Sequence, residues 1–183
     1  QGAVMKLRVL VVAAVSLLLL TRPAASQKAG TIEVGGFGRF TDYDNSLPFT
    51  NKVGVGGRVG VFLPARFSVE GDLSTTSNDA SGTTVKYTPM HVMLLYNYPL
   101  GESSVLVGGG YAHNKYASGG VNTTDNGIAM IVGLRYRLHN MVALRLDLNE
   151  DFIPSPANQG PETSFNGNLG MQLGVSFLFS FLK

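Results

Sequence analysis

Nine charged residues set the chemistry available to this chain: Glu33, Arg39, Arg58, Glu70, Asp72, Arg135, Arg137, Arg145 and Asp147. Six of them fall in pairs two residues apart: Glu70 with Asp72, Arg135 with Arg137, and Arg145 with Asp147. In extended chain, residues two apart share a face. The alternate positions are apolar: Val69, Leu134, Tyr136, Leu138, Leu144, Leu146 and Leu148. Charges turned into an interior without counter-ions are very costly. These faces must therefore meet one another as ion pairs. One reading is structural, a network that fills an interior and fixes strand register. The other is a gate that opens a small pore by exchanging partners.

Other chemistry has less support. Nucleophilic hydrolysis needs a base within hydrogen-bond reach of its nucleophile. The histidines are His91, His113 and His139, and only His113 has a serine, Ser118, a short way beyond it. Asp42, Asp44 and Asn45 could offer oxygens to Ca²⁺, but the closing Glu of a calcium loop is missing. The sequence therefore predicts no enzyme, no metal and no cofactor. Gly54-Val55-Gly56-Gly57-Arg58-Val59-Gly60 resembles a nucleotide loop. A dinucleotide fingerprint would need glycine at Val59 and a helix after it. Its glycines, like Gly108-Gly109-Gly110, read instead as small residues in a crowded interior.

The elements that must position the charges are strands. From Leu169 to Phe181 every second residue is large and apolar, with Gly170, Gln172, Gly174, Ser176 and Ser180 among the alternates. That period means a strand with one apolar face. Its length suits a tilted bilayer crossing, which needs about 9–11 residues. Seven further strands are predicted, at Thr31–Thr41, Thr50–Phe62, Arg66–Thr75, Thr84–Tyr98, Ser103–Tyr116, Gly127–Leu138 and Val142–Phe152. The connections Leu63–Ala65, Pro99–Glu102 and His139–Met141 are short. Asp42–Phe49, Thr76–Thr83, Ala117–Asn126 and Ile153–Gly167 are longer and polar. This alternation is that of an all-β, eight-stranded antiparallel up-and-down transmembrane β-barrel. The long loops, around Ser46, Asn78, Val121 and Gln159, should lie outside the cell, and Pro64, Pro99 and His139 in the periplasm.

The N-terminus agrees. After the upstream residues 1–4, Met5 begins a secretory leader: Lys6 and Arg8, an apolar Val9–Leu20, then Ala24-Ala25-Ser26 before Gln27. Domains are thus a signal peptide over 1–26 and a barrel over 27–183. Cleavage removes Lys6, Arg8 and Arg22 and no acid, which leaves 11 of the 14 basic residues against 12 acidic ones. No basic cluster remains to bind nucleic acid. Without cysteine the chain forms no disulfide.

Inside the barrel, parity points Gly54, Gly56, Arg58, Gly60, Arg66, Ser68, Glu70, Asp72, Ser74, Arg135, Arg137, Arg145, Asp147 and Asn149 inward. A three-residue turn Leu63-Pro64-Ala65 puts Arg58 opposite Glu70, with Glu33, Arg39 and Asp72 within a strand or two. A similar turn at His139–Met141 puts Arg135 opposite Arg145, with Asp147 diagonal to offset their repulsion. In Thr84–Tyr98, Val85 and Tyr87 differ in parity from Met90, Val92, Leu94 and Tyr96, which predicts a bulge near Thr88-Pro89. Met93 and Leu95 then point inward without explanation. Phe40, Tyr43, Phe49, Phe62, Phe67, Tyr87, Tyr98, Tyr111, Tyr116, Tyr136, Phe152 and Phe181 fall near strand ends, as interfacial aromatic belts do.

These features resemble the small outer-membrane β-barrel family that includes the OmpA transmembrane domain and the OmpX/Ail proteins. The resemblance covers roughly residues 30–183. It rests on the eight amphipathic strands, Gly-rich stretches such as Val34-Gly35-Gly36-Phe37-Gly38-Arg39-Phe40, and the closing strand. It implies that Gln172, Gly174, Phe177, Phe179 and Phe181 form the signal read by the barrel-assembly machinery. No histidine shows the His-x-Ser spacing of lipid-deacylating barrels. The expected location is the bacterial outer membrane. Expected partners are outer-membrane lipid and lipopolysaccharide, the assembly machinery, and an extracellular partner that the loops do not name. Two functions remain: a structural or surface-interaction scaffold with exposed loops and a plugged polar lumen, and a narrow channel or carrier for small solutes or apolar ligands.

Overall fold

The computed structural model describes residues 28–43, 51–80, 83–154 and 166–180. Eight antiparallel strands follow chain order: β1 (Thr31–Asp42), β2 (Lys52–Phe62), β3 (Phe67–Ala80), β4 (Thr83–Leu100), β5 (Ser103–Ser118), β6 (Val121–His139), β7 (Val142–Ile153) and β8 (Asn166–Ser180). Each pairs with its neighbours in sequence, and β1 pairs with β8 to close the barrel. No helix among the described residues is long and apolar enough to cross a membrane. The leader predicted over residues 1–26 lies outside the described residues.

The outer wall is apolar. Val53, Val55, Val59, Leu73, Val92, Leu134, Leu146, Leu173 and Phe177 all expose their side chains to the surroundings. Water would make such a wall costly at about 25 cal/mol per Å²; hydrocarbon makes it the natural solvent. The polar and charged residues between them are buried inside.

Three details depart from the sequence reading. The first turn is longer than three residues. Leu63 N donates to Phe67 O at 2.8 Å, and a 3₁₀ turn runs over Pro64–Arg66 between them. Proline sets φ for that turn and offers no N–H, and Ala65 and Arg66 follow at φ 58° and 69°. Arg66 thus belongs to the turn and is half-buried rather than on the inward face. The two additional residues slide the pairing by two positions. Faces survive a shift of two, but partners do not: Arg58 stands opposite Asp72, and Glu70 opposite Gly60.

The expected bulge at Thr88-Pro89 is absent. The register of β4 with β5 runs unbroken from Val85↔Ser118 to Leu100↔Ser103. Tyr87, His91, Met93 and Leu95 therefore all point inward and are buried. Met93 and Leu95 pack with Ala112, Ala129 and Ile131 in an apolar patch on the β4–β6 side of the lumen. The glycines opposite them, Gly110 and Gly108, leave the room: a Cβ at Gly108 would meet Leu95 Cδ2 at 2.6 Å. The same parity takes Tyr87, Tyr43 and Tyr116 out of the interfacial belt. They cluster inside the loop end of the barrel, Tyr43 edge-on to Tyr87 at 5.4 Å and Tyr87 stacked on Tyr116 at 5.0 Å. Phe62 is likewise inside, with Ala143 and Leu178 near the terminal end. Phe49 and Phe181 lie outside the described residues.

Two of the four long loops are mostly strand. β3 runs to Ala80 and β4 starts at Thr83, which takes in Asn78, buried on the inward face. β5 and β6 extend to Ser118 and from Val121, joined by Gly119-Gly120 at φ 53° and 88°. Two consecutive left-handed residues make the tight hairpin turn whose twist matches the strands. At 18, 16 and 19 residues, β4, β5 and β6 exceed a bilayer crossing and form a paired arm beyond it. The first and fourth long loops lie in residues 44–50 and 155–165, outside the described ones.

An ion-pair network inside the barrel

The central inward charges assemble from five strands, and Gln172 joins them from a sixth. Arg145 on β7 forms a two-pronged pair with Glu70 on β3, Nη2 donating to Oε1 at 2.8 Å and Nη1 to Oε2. The same guanidinium reaches Glu33 on β1 at 3.2 Å and Asp147 on its own strand at 3.0 Å. Glu33 also takes Arg135 of β6 at 2.5 Å. Asp147 accepts in addition from Arg58 of β2, whose Nη2 donates to Gln172 Oε1 of β8 at 3.0 Å. Arg135 and Arg145 do stand opposite each other, as the turn at His139–Met141 predicts, although a register shift between Arg137 and His139 pairs Val142 with His139 rather than Leu138. Asp147 serves Arg145, while Glu33 neutralises Arg135 from across the lumen. Arg58 therefore pairs with Asp147 and not with Glu70.

Neighbours shape this cluster. A Cβ at Gly133 would overlap the Asp147 carboxylate, so glycine there makes its site. Arg58 lies over the Phe37 ring at 4.6 Å and Arg135 over Phe62 at 4.9 Å, which adds cation–π attraction in a dry setting. Asn97 accepts from Arg135 at 2.8 Å and donates to Ser68 and to the Arg66 carbonyl at 3.0 Å each.

A second layer lies nearer the loop end. His91 on β4 bridges Asp72, 2.8 Å from Nδ1, and Asp151 on β7, 3.0 Å from Nε2. An imidazolium, with two donors, suits two acceptor-only carboxylates. Asp151 also accepts from Asn114 at 3.1 Å and approaches Arg39 at 3.9 Å. With its amide turned to donate to Gly170 O, Asn149 accepts from Arg39 at 3.1 Å.

Eight of the nine sequence-predicted charges are buried inside. Arg137 is half-buried near the end of β6 and makes none of the ion pairs among the described residues. Sequence reasoning missed His91 and Asp151. Asp151 continues the period Arg145, Asp147, Asn149. His91 shares the inward parity of Met93 and Leu95, but its acid partners on β3 and β7 are not recorded in any spacing. Gln172 is inward and bonded to Arg58, Phe177 and Phe179 face outward, and Gly174 sits between them in β8; Phe181 lies outside the described residues.

The residues of the alternative chemistries fall as follows among the described ones. His113 faces outward and Ser118 lies on the opposite face of β5. His139 is exposed at the end of β6. Among the described residues no group of three His, Cys, Asp or Glu is placed to hold a metal. Asp42 is exposed at the end of β1, and Asp44 and Asn45 are outside the described residues. The glycine-rich Gly54–Gly60 run is inside β2.

The fold is that of known outer-membrane barrels. Neisserial surface protein A superposes with a TM-score of 0.63 at 16% identity, over 83% of this chain and 99% of that one. The N-terminal barrel of Pseudomonas aeruginosa OprF gives 0.59 at 18%, over 84% and 100%. Ail, the attachment invasion locus protein of Yersinia pestis, crystallised with the heparin analogue sucrose octasulfate, gives 0.52 at 14%, over 83% and 100%. No curated protein matches the sequence. The family model described as outer membrane protein beta-barrel domain matches residues 10–179.

Proposed function

The chain belongs to the outer-membrane β-barrel protein family, and from that premise we infer a surface-interaction scaffold with a plugged lumen. It resides in the bacterial outer membrane, which its strands cross. The barrel presents the β3–β4 and β5–β6 arms and the segments around 44–50 and 155–165 to the outside. The tight turns at Pro64, Pro99 and His139, the start of β1 and the end of β8 face the periplasm. The observation that carries the reading is the Glu33–Arg135–Arg145–Glu70–Asp147–Arg58 cluster, which ties together the walls of the barrel. An eight-stranded barrel has an interior just wide enough for side chains to fill. Here charges fill one side, and Met93, Leu95 and Ile131 fill the other. Scaffold folds carry specificity in their loops. Lipopolysaccharide and the assembly machinery are the proposed partners in the membrane, the latter through Gln172, Gly174, Phe177, Phe179 and Phe181.

One observation favours the channel alternative. Thr41, Ser74 and Thr76 place buried hydroxyls near the loop end of the lumen without hydrogen-bond partners among the described residues. That end is polar enough to admit small solutes. Swelling of proteoliposomes in arabinose separates the readings. The scaffold reading expects the rate of empty liposomes; swelling that scales with protein content makes the chain a channel.

A further inference from the structure

The outer wall carries a groove. It crosses β1 to β5 obliquely, with Gly57 and Gly71 as its floor and Val59, Leu73 and Val92 as its sides. It ends at Tyr111 and His113. Tyr111 donates to Asn126 Oδ1 at 2.5 Å, and His113 Nδ1 meets the same oxygen at 2.7 Å. These bonds hold both rings at the edge of the apolar band and occupy His113 Nδ1. Two residues further along β5 is Lys115, and diagonal to it across the sheet is Lys86, since Lys86 pairs with Ala117. Both lysines are exposed on the same outward face. That face of β4, β5 and β6 carries no acid among the described side chains. Among the described side chains, the outward acids toward the loop end are Asp42 on β1 and Glu150 on β7, outside that three-strand face.

We propose that this wall binds a phosphorylated, multiply acylated glycolipid of the outer leaflet, with one acyl chain in the Gly57–Gly71 groove and its phosphate between Lys86, Lys115 and His113. The occupant must be thin and apolar along the groove and anionic at one end. It must also belong to the leaflet at the loop end of the barrel. Lysines near a membrane surface attract anionic headgroups. A second copy of the chain fits less well. Two-fold pairing through this face would bring the lysines of both copies together. The inference rests on the surface-facing placement of the loop end and not on a closed lumen.

Native mass spectrometry of refolded protein in micelles tests it, with bis-phosphorylated lipid A and the same lipid stripped of phosphate as probes. The readout does not depend on orientation in a membrane, so its failure is separate from a failure of topology. Wild type should bind bis-phosphorylated lipid A, and K86Q/K115Q should weaken it about tenfold or more. The substitution lies beyond the apolar band and leaves the fold intact, which heat-dependent gel migration checks. A Cβ at Gly57 or Gly71 meets only backbone oxygens, at 3.5 and 3.8 Å. G57L/G71L therefore fills the groove from outside and should weaken both lipids. Equal affinity of wild type and K86Q/K115Q, or equal affinity for the stripped lipid, would overturn the proposal. So would a dimer that G57L/G71L abolishes, since the groove would then belong to a second copy.

Discussion

Asp147 is the residue on which most of the network turns, because it accepts from Arg58 and Arg145 together. Asp147→Ala leaves two buried guanidiniums short of a partner. Breaking a buried pair from one side costs about 3–5 kcal/mol, whereas apolar replacement of all partners can be neutral. Urea unfolding in phospholipid vesicles should show a loss of that size; a loss below about 1 kcal/mol would mean that the charges are solvated rather than paired. Which charges point inward was legible, because a two-residue period fixes the face regardless of turn length. Which charges meet was not. The Arg58 partner depends on two extra residues in one turn and on contacts across the lumen between β2 and β7, which no spacing in the sequence records. His91 was missed for a related reason: its inward parity was legible, but the two acids it bridges stand on β3 and β7. Tyr87 was assigned to the lipid side because it is apolar, and the polar lumen holds a tyrosine cluster.

At the scale of elements, the bilayer-spanning parts of the strands were legible and their extensions were not. Ser118↔Val121 and Ala117↔Asn122 are paired residues of a β5–β6 arm beyond the apolar band. No lipid faces that arm, so nothing imposes apolar alternation, and its Gly, Asn, Ser and Thr content reads as loop. The turn itself sets the arm. Valine at Gly119 and Gly120 would force a β-branched residue into left-handed backbone, at roughly 1–2 kcal/mol per residue. Hydrogen exchange should then show lost protection from Lys115 to Thr124 with the membrane-level amides unchanged; undiminished protection would contradict the tight-turn geometry. On the lipid side, Leu146→Lys puts a charge on the exposed face of β7 and should cost about 2–4 kcal/mol in the same unfolding assay. A neutral result would place that face away from hydrocarbon.

For the whole molecule, the closed ring of eight strands puts the start of β1, the end of β8 and the turns at Pro64, Leu100–Ser103 and His139–Met141 at one end. Cysteines introduced at Val121 and Pro64 should differ in intact cells: a membrane-impermeant maleimide should label position 121 and not 64. Labelling of position 64 would invert the topology. The filled interior is the central claim, and ionic conductance reads it most directly. Refolded protein reconstituted into a planar lipid bilayer should show no steady single-channel current at moderate voltage, since Glu33, Glu70 and Asp147 hold Arg135, Arg145 and Arg58 across the lumen. A large, persistent conductance from the purified wild-type protein would contradict that account and make the barrel a channel.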